Sequence, residues 1–578
     1  MKYRLILYVF LFFCFSVKAE ERGSERVVEG YYERVIERVH VERIVEQVIE
    51  RAYVHTDKDC YLAGEDVWLK FYVVNGNFQP SLLSKVGYVE ISDTKKPQMQ
   101  LKVGLEKGHG AGKIKIPADL PSGIYQLSGY TRYMRNEGEK VFFKKQIAVV
   151  NAGQRFPDSR RFEPVEKHEQ VQPVEQEQSG EKGTSIKIKT DQNRYGNRNK
   201  VLLSLDNIPE NTTNLVVSVS RNDSIALLPE TNKSSWKKQV TNISEFSGQW
   251  LPEYEGHIIT GRLVPQPKEE LQANLAFVGN DVRYMNGQIN PQNGTISFYT
   301  AGIFGKQHVV TSTISPSYDK LPYRVDLLTP FEESLPGNLP VLQIYPDEKP
   351  LLERYIGVQI QGKMNNDSLN NLTPLSGYTS FQPALSYDLD EYTRFNTISE
   401  TILEFVKKIY VTKVKGKRTI GAYSKLGMRT LVLLDGIPVY DHEDILQYNP
   451  MHVKMIHIYD GCYTFGGENF EYIVSFITGE GNLPFFKLGN ESQLLDYDCP
   501  QLPLRVVTPD YSNARIKNSG KPDFRHTLYW NPFVESTNGQ PVNLSFYTSD
   551  LCGEFKVTVE GITSDGEMIH GVSYFQVK

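Results

Sequence analysis

The sequence predicts a mainly β, multidomain protein: tandem β-sandwiches, a small α+β domain and a C-terminal β domain. Three observations carry this. Short alternations, such as Val67, Leu69, Phe71 and Val73 against Trp68, Lys70 and Tyr72, recur between turn residues. The stretch "TDKDCYLAGEDVWLKF" (56–71) has an ungapped echo, "TDQNRYGNRNKVLLSL" (190–205). Aromatic residues make up 11% of the chain, mostly 34 Tyr and 28 Phe, and aromatics favour strands.

The elements follow in order along 578 residues, enough for about three to five domains. Residues 1–19 read as a secretory signal peptide. Lys2 and Arg4 precede the apolar run 5–17, and Val17-Lys18-Ala19 leads to a cut before Glu20. Cys14 sits inside the run, and its lipidation stays open. No later segment has the roughly 18 apolar residues of a spanning helix. Residues 24–51 space Val28, Tyr32, Val35 and Val39 at helical steps among Glu and Arg, an expected amphipathic helix. Residues 52–151 hold several alternating strands and the turn Pro121-Ser122-Gly123, an expected β-sandwich. Residues 152–184 are Gln-, Glu- and Lys-rich and read as a polar linker.

The echo opens a second sandwich, expected over 185–255. Thr190, Asp191, Tyr195, Val201 and Leu203 stand 134 residues after Thr56, Asp57, Tyr61, Val67 and Leu69. Residues 256–317 are a third, small β unit punctuated by Gly, Asn and Pro. Residues 318–390 are polar and turn-rich, with no clear element. Residues 391–482 are an α+β unit. "ISETILEFV" (398–406) has helical spacing with Thr397 or Ser399 as cap, and "TLVLLDGIPVYD" (430–441) is a buried strand entering an Asp-Gly turn. Residues 483–578 return to β.

Composition excludes some functions. A net charge of −5 gives no basic excess for nucleic acid. Cys60, Cys462, Cys499 and Cys552 are widely spaced; an exported chain can oxidise them, three pairings exist, and spacing does not choose. Asp57, Lys58 and Asp59 resemble a cation site, but the echo replaces Lys58, Asp59 and Cys60 with Gln192, Asn193 and Arg194. What persists is Thr-Asp, a tyrosine and the alternation, which are turn and core features. His452 and His457, five apart in an expected strand, face opposite ways and share no metal. Cys552-Gly553-Glu554 lacks the glutamine of a thioester, since Phe555 follows. Gly466-Gly467 lacks the Lys and Ser/Thr of a phosphate loop. The sequence therefore nominates no catalytic, cofactor-binding or metal residue, no cofactor and no enzyme.

Two resemblances stand on these motifs. "YVHTDKDCYLAGEDVWLKFYV" and "LPSGIYQLSGYT" resemble the MG2-type sandwich of macroglobulin-like proteins, which is structural. "LVLLDGIPVYD", "ILQYNPMHVKMIHIYDG" and "YIVSFITGEG" resemble the plug domain of TonB-dependent outer-membrane receptors. A receptor plug precedes a barrel of about 22 strands, for which the residues after 482 are too few. The whole is similar to Bacteroidota-type exported envelope proteins with a barrel-less plug. That resemblance implies a non-catalytic scaffold or accessory protein at the outer membrane or cell surface. It would act through protein contacts, with an outer-membrane barrel as partner. A glycan- or peptide-binding protein using Trp68, Trp250 or Trp530 as platforms is the alternative, and a hydrolase a further one.

Overall fold

A computed structural model describes residues 49–153, 162–164 and 186–578, less 223–224, 228–244, 268–269, 291–292, 316–320, 322, 345–347, 365–381, 415, 425–426, 466–467, 503–508, 537–538 and 566. The expected signal peptide with Cys14 and the expected helix as far as residue 48 lie outside these. The helix reading fails at its end: Glu50 and Arg51 open the strand Glu50–Thr56.

The first sandwich is built on one eight-stranded arrangement. In spatial order its strands are Glu50–Thr56, Asp66–Asn75, His109–Lys115, Pro97–Glu106, Val86–Ser92, Gly123–Thr131, Phe143–Val150 and Cys60–Leu62. Val67, Leu69, Phe71, Tyr88, Val89 and Leu127 fill its interior, all buried. The Phe71 ring fits because Gly87 and Gly129 face it. A Cβ on Gly87 would stand 2.9 Å from that ring, and one on Gly129 2.5 Å from Val54.

The second sandwich departs from the sequence reading. Its three-stranded sheet joins Lys187–Thr190 and Lys200–Asp206 to Val542–Tyr547. Its five-stranded sheet joins Arg194–Tyr195 and Thr212–Arg221 to Thr527–Val534, Gly553–Thr563 and Met568–Val577. The expected separate units 185–255 and 483–578 are therefore one sandwich in two pieces. The physical reason lies in its core: Val201, Leu203, Val217 and Val219 are covered only when Phe555, Val557, Ile569 and Phe575 pack against them.

Between the pieces lie two more units. Residues 256–317 form most of a pair of four-stranded sheets, but Arg324–Leu327 and Ser492–Asp498 complete them from outside the expected bounds. The α+β unit has the sheet order Leu385–Asp388, Val453–Phe465, Glu468–Thr478, Arg429–Leu434, Ile437–Pro438, so it starts before residue 391. Thr397, not Ser399, caps its helix Ile398–Phe405, accepting from Glu400 N at 3.1 Å while the Glu400 carboxylate accepts from Asn396 N at 3.1 Å. The Asp-Gly turn is present, with φ of +44° at Asp435 and +80° at Gly436. Only glycine fits at 436, where a Cβ would stand 2.7 Å from the Phe277 carbonyl oxygen.

The stretch 318–390 is less irregular than expected. It holds the strands Arg324–Leu327, Leu342–Ile344 and Leu385–Asp388 and the helix Glu348–Met364. The expected linker 152–184 lies mostly outside the described residues, but Phe162–Pro164 in it is a strand pairing in parallel with Leu342–Ile344.

Truncating the chain after residue 567 tests the split sandwich. It removes Ile569, Phe575 and Val577, all buried, at about 1.5–3 kcal/mol each. Against a typical domain stability of about 5–15 kcal/mol, the second sandwich is expected to become susceptible to limited proteolysis within 186–221. Unchanged resistance there would contradict the assignment.

Candidate interaction surface

The cluster at Asp57 is a corner, and it is built twice. The Tyr61 hydroxyl donates to Asp57 Oδ1 at 2.8 Å, and Trp68 N donates to the same oxygen at 3.1 Å. In the echo the Tyr195 hydroxyl donates to Asp191 Oδ1 at 2.7 Å and Leu202 N at 2.8 Å. Thr56 and Thr190 each donate to the carbonyl two residues on, at 2.8 Å in both cases. Each corner then pairs in parallel with a closing strand, Cys60 with Ala148 and Arg194 with Gln576. Lys58 and Glu65, different in the echo, serve a local ion pair. Burial alone would raise the Glu65 carboxyl, yet Arg354 and Lys58 hold it well below the usual range. Arg354, on the helix Glu348–Met364, reaches Glu65 at 2.7 Å and the Cys60 carbonyl at 2.9 Å.

The second face of the strand Asp66–Asn75 is also buried, against the second sandwich. Trp68 packs with Val216 and Trp530. Lys70 Nζ donates to Asn214 Oδ1 at 3.2 Å and lies 3.6 Å from the Phe533 ring centre; burial pushes its ammonium well below the usual lysine range. Glu560 joins the Tyr53 hydroxyl at 3.0 Å and His55 Nδ1 at 2.7 Å across the same seam. A second seam, towards the third unit, holds Glu253, His257 and Tyr497. His257 Nδ1 lies 2.8 Å from Glu253 Oε1 and Nε2 lies 2.7 Å from the Tyr497 hydroxyl. Burial pushes His257 down to about 4, so the ring is neutral, with Nδ1–H donating to the carboxylate.

The aromatic platforms expected from sequence are therefore absent at two of three positions, since Trp68 and Trp530 are buried. Trp250 is half-buried beneath Arg135, whose guanidinium lies 3.6 Å from its ring centre. His452 lies in the short helical turn Pro450–His452 and only His457 in the strand Val453–Phe465, so the expected common strand fails. Phe555 is buried beside Phe575, at 5.6 Å between ring centres. Cys60, Cys462, Cys499 and Cys552 form no disulfide with one another. Gly466 and Gly467 lie outside the described residues. No group of three metal-ligating side chains occurs among the described residues.

What sequence reading missed is an exposed apolar surface on the α+β unit. Ile398 and Ile402 anchor the helix Ile398–Phe405 in the core, but Leu403 is 81% exposed. Beside it the strands Ile409–Val414 and Lys417–Ala422 form a two-stranded sheet of their own. Tyr410, Val414 and Tyr423 are exposed there, and the two tyrosine rings lie 5.0 Å apart. Leu403 stands between two open clefts of about 610 and 670 Å³. The first is lined by Leu385, Tyr387, Tyr392 and Phe405, the second by Val406, Ile409, Tyr410 and Val411, with Lys407 in both. The hairpin is tied to the unit by Arg418–Glu443 and by Ile420 N, which donates to His442 Nδ1 at 3.0 Å.

No protein-family model matches the chain, and no curated protein matches it. Among solved structures it is similar to bacterial alpha-2-macroglobulins. A Salmonella alpha-2-macroglobulin mutant aligns at 10% identity and a TM-score of 0.21, over 91% of this chain and 39% of that one. The native Escherichia coli alpha-2-macroglobulin aligns at 9% identity and a TM-score of 0.23, over 92% and 40%. The CARDB domain of a Pyrococcus furiosus protein aligns at 13% identity and a TM-score of 0.14, over 18% and 94%. The chain spans about two fifths of the length of the macroglobulins it matches.

Two measurements follow from this geometry. Tyr61→Phe leaves the buried Asp57 short of one donor, and is expected to cost about 1–3 kcal/mol in urea unfolding of the full chain. Tyr195→Phe, beside the exposed Asp191, is expected to cost less; equal costs would contradict the burial argument. Burial also holds His442 down to about 4 from an ordinary 6.5. Its folded value is depressed, so its contribution is full above about 6.5 and is lost as pH falls towards 4. His442→Asn keeps an acceptor for Ile420 N and removes the titration. Its stability is expected to fall less steeply than the wild type's across that window, and parallel curves would refute the assignment.

Proposed function

We propose that this chain is a non-catalytic scaffold of the cell envelope, exported and outer-membrane-associated, acting through protein–protein contacts. The observation that carries the proposal is the apolar surface around Leu403, Tyr410 and Tyr423, large side chains left in solvent on a unit whose core is shared with Ala276, Tyr284 and Val310 of the third unit. Contiguous exposed apolar side chains of this kind mark contact sites rather than reaction centres. The clefts beside them are lined mainly by aliphatic, aromatic and lysine side chains, with Glu404 in the first and Arg418 in the second, a set suited to gripping a partner.

The α+β unit is the partner-facing part in this reading, and the β-sandwiches are the frame that carries it. Its strand, Asp-Gly turn and Asn-Pro turn match the plug-like motifs of the sequence, which favours an outer-membrane barrel as partner. A direct peptide binder is the second reading, favoured by the cleft between the helix Ile398–Phe405 and the strand Ile409–Val414. No helix among the described residues is long and apolar enough to cross a membrane; in this reading, attachment runs through the partner or a lipidated terminus.

A photo-crosslinking side chain at Tyr423, in cells fractionated after illumination, tests the proposal. A covalent adduct with one outer-membrane barrel protein is expected. A chain recovered away from the outer membrane with no specific adduct would refute it.

A further inference from the structure

The hairpin beside the larger cleft has a free edge, and its register says which backbone groups lie on that edge. Ile409 pairs with Ala422, Val411 with Ile420, Lys413 with Arg418 and Val414 with Lys417. Tyr423 N donates to the Lys408 carbonyl at 3.1 Å, in the same register. Hydrogen-bonded pairs alternate along an antiparallel ladder. The backbone groups of Tyr410, Thr412 and Val414 therefore face the strand Lys417–Ala422. Those of Ile409, Val411 and Lys413 face the other way, and no described strand pairs with them there.

The cleft beside this edge is bounded on its far side by the helix Ile398–Phe405, through Ser399, Ile402 and Leu403. A strand edge facing a helix across a cleft of about 670 Å³ is a shape that accepts an extended peptide. The charged side chains that line it have one sign. Lys407, Lys408, Lys413 and Arg418 line the cleft and no carboxylate does, although the chain as a whole carries −5. Lys408 is paired with Asp460 and Arg418 with Glu443. Lys407 and Lys413 have no ion-pair partner among the described residues.

We propose that the strand Ile409–Val414 takes up an extended, acidic segment of a partner protein as a third strand. Main-chain bonds to Val411 and Lys413 set the register. Apolar side chains of the segment meet Leu403 and Val406, and its carboxylates meet Lys407 and Lys413. This inference rests on the scaffold reading and names the chemistry of the partner's contacting segment.

The probe is a fluorescein-labelled ten-residue peptide of alternating Val and Glu, titrated by anisotropy into the full chain. Saturable binding is expected, weakening with added salt. Val411→Pro removes one outward N–H and leaves the hairpin's own ladder intact, as proline does on a sheet edge; it is expected to weaken binding about tenfold or more. Lys413→Glu is expected to do the same. Should the proline variant misfold, the peptide N-methylated at alternate residues, titrated into the unaltered chain, asks the same question and is expected to bind about tenfold more weakly. Equal binding by the proline variant or the N-methylated peptide, equal binding of an alternating Val and Lys peptide, or no binding of the Val and Glu peptide would overturn the proposal. The Tyr423 crosslink separates this from the scaffold reading. An adduct that persists in Val411→Pro leaves the scaffold reading standing and removes this edge as the docking site.

Discussion

The architecture depends on one small constraint, the carboxylate corner at Asp57 and its copy at Asp191. Each corner turns the chain so that a two- or three-residue strand lies parallel to a closing strand. In the first sandwich the closing strand Phe143–Val150 follows within the same unit. In the second it is Met568–Val577, the last strand of the chain. Residues between Arg221 and Thr527 are thereby an insertion, carried between the two halves of one hydrophobic core. The third unit and the α+β unit sit inside that insertion.

The frame is stiffened by seams that bury polar side chains. Lys70, His55, Glu560, Glu253 and His257 are all buried at junctions between units, and each bonds across its junction. Breaking such a seam leaves a polar group in a place water cannot reach, which is costly. A frame held this way keeps the α+β unit in position without spending that unit's own outer face. The face left over, around Leu403 and the hairpin, is one place where the molecule leaves apolar surface in solvent.

Much of this was legible in the residues. Thr56, Asp57 and Tyr61 predict a turn because their spacing recurs without a gap, and the hydrogen bonds of both copies agree. The helix at Ile398 and the Asp435-Gly436 turn were legible from local chemistry alone. The closing strand of the second sandwich was not, since a bridge of two residues between Arg194–Tyr195 and Gln576–Val577 leaves no local mark. Trp68 and Lys70 alternate with the core residues and so read as an outer face; only the docked second sandwich buries them. The helix Glu348–Met364 was missed because its apolar residues do not mark its buried face: Arg354 and Gly357 are buried, while Leu352 and Ile356 are exposed. The apolar surface was missed because Leu403, Tyr410 and Val414 look like ordinary core residues until the sheet that should cover them ends at two strands.

Native-state hydrogen exchange on the full chain tests the split sandwich and its consequence together. The account predicts that amides in Lys200–Asp206 and Thr212–Arg221 open with the same free energy as those in Gly553–Thr563 and Met568–Val577, as one cooperative unit. It also predicts faster exchange on the outward edge of Ile409–Val414 than on the strand's inner side. Independent opening of the C-terminal strands would contradict the account at its centre.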